Sequence, residues 1–258
     1  GYKPVWSEFP SGPPLLEALN AGAIDFGHAG EAPPIFAQAA AADFVYVAHE
    51  PPAPKGEAIL VPKNSPIKTV ADLKGKKVTL NKGSNVHYLL VKALEKAGVA
   101  YSDIQPTFLA PADARAAFQS GQVDAWVIWD PFQASAEVDL DAEVLADGTD
   151  VVSNHQFYLA GKSFAADHGK AIEVVLAELE QINQWVKSDI KAAAEELAPP
   201  IGIPAPVLEK ALSRQSYGLK PISDAVAAEQ QNVADTFVAL GLLPKAIVVK
   251  DAVWRAGS

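Results

Sequence analysis

The 258-residue chain contains no cysteine and no methionine. Without cysteine there is no disulfide, no thiolate metal ligand and no cysteine nucleophile. That absence is compatible with an oxidising compartment. A cytosolic chain ordinarily begins with methionine. A start at Gly1 therefore points to cleavage, trimming or omission upstream, and a secretory signal peptide removed on export is one natural cause. Long apolar runs are missing too: none approaches the ~20 residues that span a bilayer. Positive charge is in deficit, with 21 Lys and Arg against 31 Asp and Glu and a net charge of −10. Such a chain is a poor partner for nucleic acid, which needs a basic face. A small anion remains open, because it needs only local donors. HExxH, Walker, GxGxxG and Gly-x-Ser-x-Gly patterns are absent, and the five histidines (His28, His49, His87, His155, His168) are scattered. No metal, cofactor or catalytic residue is expected from these patterns.

What is present centres on Lys77–Gly98. Lys77 to Leu80 reads as a short strand that breaks at Gly83. A helix follows, with apolar positions at Val86, Leu89, Leu90, Ala93, Leu94 and Ala97. Ser84 or Asn85 stands where an N-cap belongs, and Gly98 where the helix stops. A strand, a glycine turn and a capped helix aim free N–H groups at one point, a seat for an anion. An ordinary βα turn reads the same way.

A repeat gives that turn a context. Leu19–Glu31 runs parallel to Phe118–Asp130 at a constant offset of 99 residues, pairing Gly22 with Gly121, Asp25 with Asp124 and Glu31 with Asp130. Each copy predicts an extended segment (Val5 to Phe9; Ile104 to Leu109), a helix entered through proline, a glycine turn and a strand. Alternating strands and helices predict an α/β fold with mainly parallel sheets. By the same offset, the counterpart of Lys77–Gly98 in the first copy falls before Gly1. The first lobe's opening strand and helix are therefore expected to be missing from this sequence. Further on, Glu137 to Asp150 reads as an acidic surface loop, and the chain turns helical from Phe164.

Open α/β sheets bind ligands at strand C-termini. Four corners fall there: Ser11-Gly12, Gly30-Glu31-Ala32, Gly83-Ser84-Asn85 and Trp129-Asp130. Backbone N–H groups with Ser and Asn side chains suit an anionic head, and Trp129 suits either an apolar tail or the core. Glu31 and Asp130 read equally as an acid/base pair or as carboxylates satisfying local helix amides.

Several longer motifs resemble the aliphatic-sulfonate-binding proteins of bacterial ABC importers, within the nitrate, sulfonate and taurine group. They include Trp6-Ser-Glu-Phe-Pro-Ser-Gly-Pro-Pro, Asp25-Phe-Gly-His-Ala-Gly-Glu-Ala-Pro-Pro, Lys82-Gly-Ser-Asn-Val-His-Tyr, Val127-Ile-Trp-Asp-Pro-Phe and Asn154-His-Gln-Phe-Tyr. The resemblance runs from about Trp6 to Trp254. It implies a two-lobed periplasmic solute-binding fold (type II) with two hinge crossings, closing over a sulfonate held largely by helix N-termini. The expected lobes are 1–62 with 160–258, and 63–159, crossing near 61–65 and 151–160. The implied function is capture of alkanesulfonates in the cleft and delivery to a membrane permease, by a periplasmic monomer without cofactor. Taurine, nitrate or a sulfate ester is the alternative ligand. An enzyme on the same fold, like the thiamine-pyrimidine synthases, is disfavoured by the missing cysteines. A LysR-type effector domain would need an upstream DNA-binding segment.

Overall fold

The 99-residue repeat returns as two copies of one helix–strand–helix–strand run. The first comprises α1 (Gly12–Asn20), β1 (Phe26–Gly30), α2 (Ala32–Ala39) and β2 (Phe44–His49). Then come β3 (Glu57–Val61), β4 (Lys77–Leu80), α3 (Asn85–Lys96) and β5 (Gln105–Phe108). The second copy is α4 (Pro111–Gln119), β6 (Ala125–Trp129), α5 (Phe132–Asp139) and β7 (Glu143–Asp147). Both ends of α1 and α4, and of β1 and β6, lie 99 residues apart. α1 and α4 also stop alike. Gly22 and Gly121 hold φ of 68° and 71°, and their N–H groups return to Leu19 O and Phe118 O at 3.1 Å. A left-handed residue closes a helix end this way, and glycine does so without a Cβ clash.

The computed structural model describes residues 3–255. Two compact units are formed: Gly1–Pro51, His155–Gln184 and Tyr217–Ser258 make unit 1, and Pro52–Asn154 with Trp185–Ser216 makes unit 2. Unit 2 holds a five-stranded sheet in the order β5-β4-β6-β3-β7. Its strands alternate cleanly. Ile59, Val61, Ala125 and Val127 pack on one face with Leu89, Leu90 and Leu94 of α3. Ala58, Leu60, Trp126 and Ile128 pack on the other with Phe118 of α4 and Ala136 of α5. That alternation is the period of two at which a strand buried on both faces divides its side chains.

Unit 1 holds a three-stranded sheet, β1-β8-β2, in which β8 (Gln156–Gly161) is antiparallel to both neighbours. The expectation of mainly parallel sheets fails here and holds only for β5-β4-β6 of unit 2. The strands of each repeat copy run one way. A strand from outside the copy, β8 in unit 1 and β3 in unit 2, enters antiparallel between them. The same exchange puts β3 in unit 2, hydrogen-bonded to β6 and β7, although Glu57–Val61 reads in sequence as first-lobe chain.

After β8 the chain is helical: α6 (Lys162–Asp167), α7 (Gly169–Ser188), α8 (Ile190–Ile201), α9 (Ala205–Leu212) and α10 (Asp224–Ala239). α8 and α9 belong to unit 2, not to the first lobe, because Val207 and Ala211 of α9 pack on Ala134 of α5. Trp254 anchors the chain end in unit 1: its N–H donates to Tyr46 O at 2.9 Å, and its ring packs beside Val45, Tyr158 and Ile172.

Two further expectations are corrected. Glu137–Asp150 is not an irregular loop, since it contains the end of α5 and strand β7. β7 is an edge strand, paired on one side only with β3, and an edge tolerates acidic residues that a central strand would not. Val5–Phe9 does not form a strand. Its counterpart β5 is held by parallel pairing to β4, whereas no strand pairs with residues 5–9 among the described residues, and Val5 and Trp6 are 89% and 86% exposed. Among the described residues no helix is long and apolar enough to cross a membrane.

Candidate functional site

In unit 2 the parallel pairing of β4, β5 and β6 sets their C-terminal ends along one sheet edge. Gly83-Ser84-Asn85 and Trp129-Asp130 both lie there, following β4 and ending β6. Ser84 takes the N-cap position of α3, but its hydroxyl donates back to Asn81 O at 2.7 Å, and no side chain caps the helix. The first-turn N–H groups of Asn85 and Val86 are thus not taken up by a capping oxygen. Ser84 and Asn85 are both buried. The start of this twelve-residue helix is thus uncapped and buried, the geometry at which backbone N–H groups stand open to an acceptor.

His87 holds the turn from below. Gly83 N–H donates to its Nδ1 at 3.3 Å. Nδ1 is therefore the acceptor, and Nε2–H donates to the Tyr101 hydroxyl at 2.9 Å. Burial, with help from nearby Lys82, pushes the His87 pKa down to about 4. Both effects keep the ring neutral, as the Gly83 bond requires.

Asp130 has its side chain 1% exposed. It accepts the Ala134 N–H of α5 at 2.9 Å and meets Arg214 Nη1 at 3.4 Å from both carboxylate oxygens. Arg214 Nη2 donates in turn to Glu137 at 2.5 Å, and Lys210 pairs with Glu137 at 3.1 Å. Arg214 thus ties the end of β6 and helix α5 to the segment after α9. Burial raises the Asp130 pKa to about 6, against the pull of Arg214 and the Ala134 N–H. Trp129 is half-buried, divided between both faces of the core and Phe132 at 6.3 Å.

The two shifts act oppositely on stability. Between pH 6.5 and 4 the unfolded chain protonates His87 and the folded chain does not, so acidification costs stability through this group. From pH 6 down to 3.8 the folded chain protonates Asp130 and the unfolded chain does not, so acidification restores stability. Removing the second group exposes the first. Asp130→Asn should lose about 2–3 kcal/mol more than the parent between pH 6.5 and 4, read by urea unfolding at each pH. Parallel pH profiles would show that Asp130 does not titrate as its surroundings dictate.

In unit 1, Ser11 caps the position before α1 in an extended conformation, again without a side-chain bond. Gly12 is needed for close approach: a Cβ there would meet Pro33 Cγ at 2.5 Å and Ala29 Cβ at 3.4 Å. The start of α1 therefore packs on the end of β1 and the start of α2, which brings Ser11, Gly12, Gly30, Glu31 and Ala32 together. Gly12→Ala should cost about 1–3 kcal/mol in thermal or urea unfolding, as an overpacked contact does. Prolines occupy the second and third positions of both helices, Pro13-Pro14 and Pro33-Pro34. Within each of those first turns, only Gly12 and Ala32 carry an N–H among the first three residues. Glu31 is buried; its Oε2 accepts the His155 N–H at 3.1 Å, and its carbonyl accepts Gln230 Nε2 at 2.5 Å. Asp130 thus meets a local amide and Arg214, whereas the Glu31 carboxylate meets the His155 N–H, 124 residues along the chain, and its carbonyl meets Gln230.

Sequence reading missed Arg214 and Asn154. Nothing in the sequence near Arg214 marks it. Asn154 lies in a motif already noted, but its bond to Asn85 is visible only in the fold.

The family described as NMT1/THI5 like matches residues 10–189. A relative of Escherichia coli (strain K12) named for aliphatic sulfonate binding is 51% identical over 251 residues, 97% of this chain and 79% of that relative. The alkanesulfonate-binding protein SsuA from Xanthomonas axonopodis pv. citri, solved bound to MOPS, superposes with a TM-score of 0.94 at 46% identity, covering 97% of this chain and 87% of the other. The periplasmic aliphatic sulphonate binding protein SsuA from Escherichia coli superposes with a TM-score of 0.89 at 50% identity, covering 97% and 82%.

Proposed function

This chain belongs to the NMT1/THI5-like family, and from that premise we propose that it is a solute-binding receptor for alkanesulfonates. It captures them in the periplasm and delivers them to an ABC permease for sulfur uptake. The observation that carries the reading is the start of α3, an uncapped helix terminus with Ser84 and Asn85 buried around it. A sulfonate presents three equivalent oxygens and one negative charge, which consecutive backbone N–H groups match without a cation. Trp129, half-buried at the same sheet edge, suits the alkyl chain. The residues of unit 1, Ser11, Gly12, Gly30, Glu31 and Ala32, complete the proposed set. Binding, not turnover, is the activity the relatives' names carry.

Isothermal titration with ethanesulfonate and longer alkanesulfonates, against sulfate and the matching carboxylates, tests this. Heat is expected from the sulfonates, with sulfate and carboxylates weaker. Asn85→Ala should weaken binding by about tenfold, while His168→Ala, at an exposed position of unit 1, should leave it unchanged. Equal and negligible heats for every anion would overturn the reading.

A further inference from the structure

Asn85 is not held by its own helix. Its Nδ2 donates to Asn154 Oδ1 at 2.7 Å, 69 residues along the chain, and Asn154 Nδ2 donates to Ala53 O at 2.8 Å. Asn85 and Asn154 are 7% and 2% exposed, and Asn154 takes a left-handed φ of 50°. The direction of this relay is dictated by chemistry. A backbone carbonyl only accepts, so Asn154 must turn its NH2 to Ala53 and its oxygen to Asn85. Asn85 must then turn its own NH2 toward Asn154. A primary amide has two N–H groups, and the bond to Asn154 uses one. Ala53 is fixed as well, because its N–H donates to Ser153 O at 3.1 Å. The relay therefore ends on fixed backbone at Ala53 and begins at the Asn85 side chain.

We propose that Asn154 is a positioning residue for anion recognition: through Ala53 it fixes which way the Asn85 carboxamide faces, so that the second Asn85 N–H joins the α3 backbone donors at the sulfonate. The proposal rests on the reading of the α3 start as the anion seat. Without Asn154, the Asn85 amide is free to rotate, and flipping it would present an oxygen to an anion in place of a donor. An unsecured amide also loses rotamer freedom on binding, which a secured one does not.

The test is a double-mutant cycle on the full chain, with ethanesulfonate as the probe in isothermal titration. Asn154→Ala should weaken binding by about tenfold. Asn85→Ala/Asn154→Ala should bind no more weakly than Asn85→Ala alone, since the second change removes nothing the first has not. Asn154→Gly keeps the left-handed backbone without strain while deleting the amide, and it should bind as weakly as Asn154→Ala. Additive losses would show that Asn154 acts independently of Asn85, and wild-type affinity in Asn154→Gly would show that backbone conformation, not the amide, is what matters; either overturns the proposal. Failure of the parent chain to bind any sulfonate would overturn the underlying seat as well, and is distinguished by needing no variant.

Discussion

Gly83→Val should abolish most sulfonate binding, weakening it by tenfold to a hundredfold, and should destabilise the protein by about 1–2 kcal/mol. Gly83 sits at φ 74°, where a β-branched side chain is a steric outlier. Relaxing that strain means moving the peptide whose N–H donates to His87 Nδ1. Ser84 and Asn85 follow directly, so the same movement swings the first N–H groups of α3 away from their common focus. Gly83→Asn is the control, because asparagine tolerates left-handed backbone. It should keep most of the affinity. Titration calorimetry with urea unfolding separates the two effects. If Gly83→Val bound normally, the seat would lie elsewhere.

The largest stability loss is expected at Arg214. Replacing it by methionine leaves Asp130 and Glu137 mostly buried, with side-chain exposures of 1% and 14%, and removes the guanidinium they share. Breaking such a buried group by removing one partner costs about 3–5 kcal/mol. The loss should be smaller at pH 5 than at pH 8. Asp130 already has a pKa raised to about 6, and without the cation it takes up a proton more readily, which relieves the unpaired charge. Urea unfolding at the two pH values reads this. Asp130→Asn in the Arg214→Met background should recover part of the stability at pH 8. No recovery would place the cost in Glu137 or in lost packing of the arginine stem.

Much of this is legible in the sequence. The first helix and strand of each repeat copy are specified locally, by proline at the helix entry, glycine at its exit and apolar residues at fixed spacing, so their bounds recur at one offset. The turn at Gly83 was readable for the same reason. What escaped was set by pairing over long separations. That β3 joins β6 and β7, and that β8 separates β1 from β2, depends on where strands enter a sheet, which no local pattern encodes. β7 reads as a loop in sequence because an edge strand carries acidic residues and only half the alternation of a central one. Arg214 and Asn154 were invisible as partners, since each meets its counterpart 84 or 69 residues away. Ser84, one of the two N-cap positions the sequence offers, is the one that the fold uses. Its hydroxyl turns back to Asn81, which leaves the helix start open.

The paired prolines of α1 and α2 bear on selectivity. Their peptide groups still align, so each helix keeps the partial positive pole of its dipole. With two donors gone from each first turn, that pole keeps a single directional N–H among its first three residues, at Gly12 or Ala32. α3, with consecutive N–H groups and no proline in its first turn, is directional. On the proposed reading, the start of α3 in unit 2 responds to how an anion's oxygens are arranged, so a planar carboxylate and a pyramidal sulfonate of equal charge look different to it.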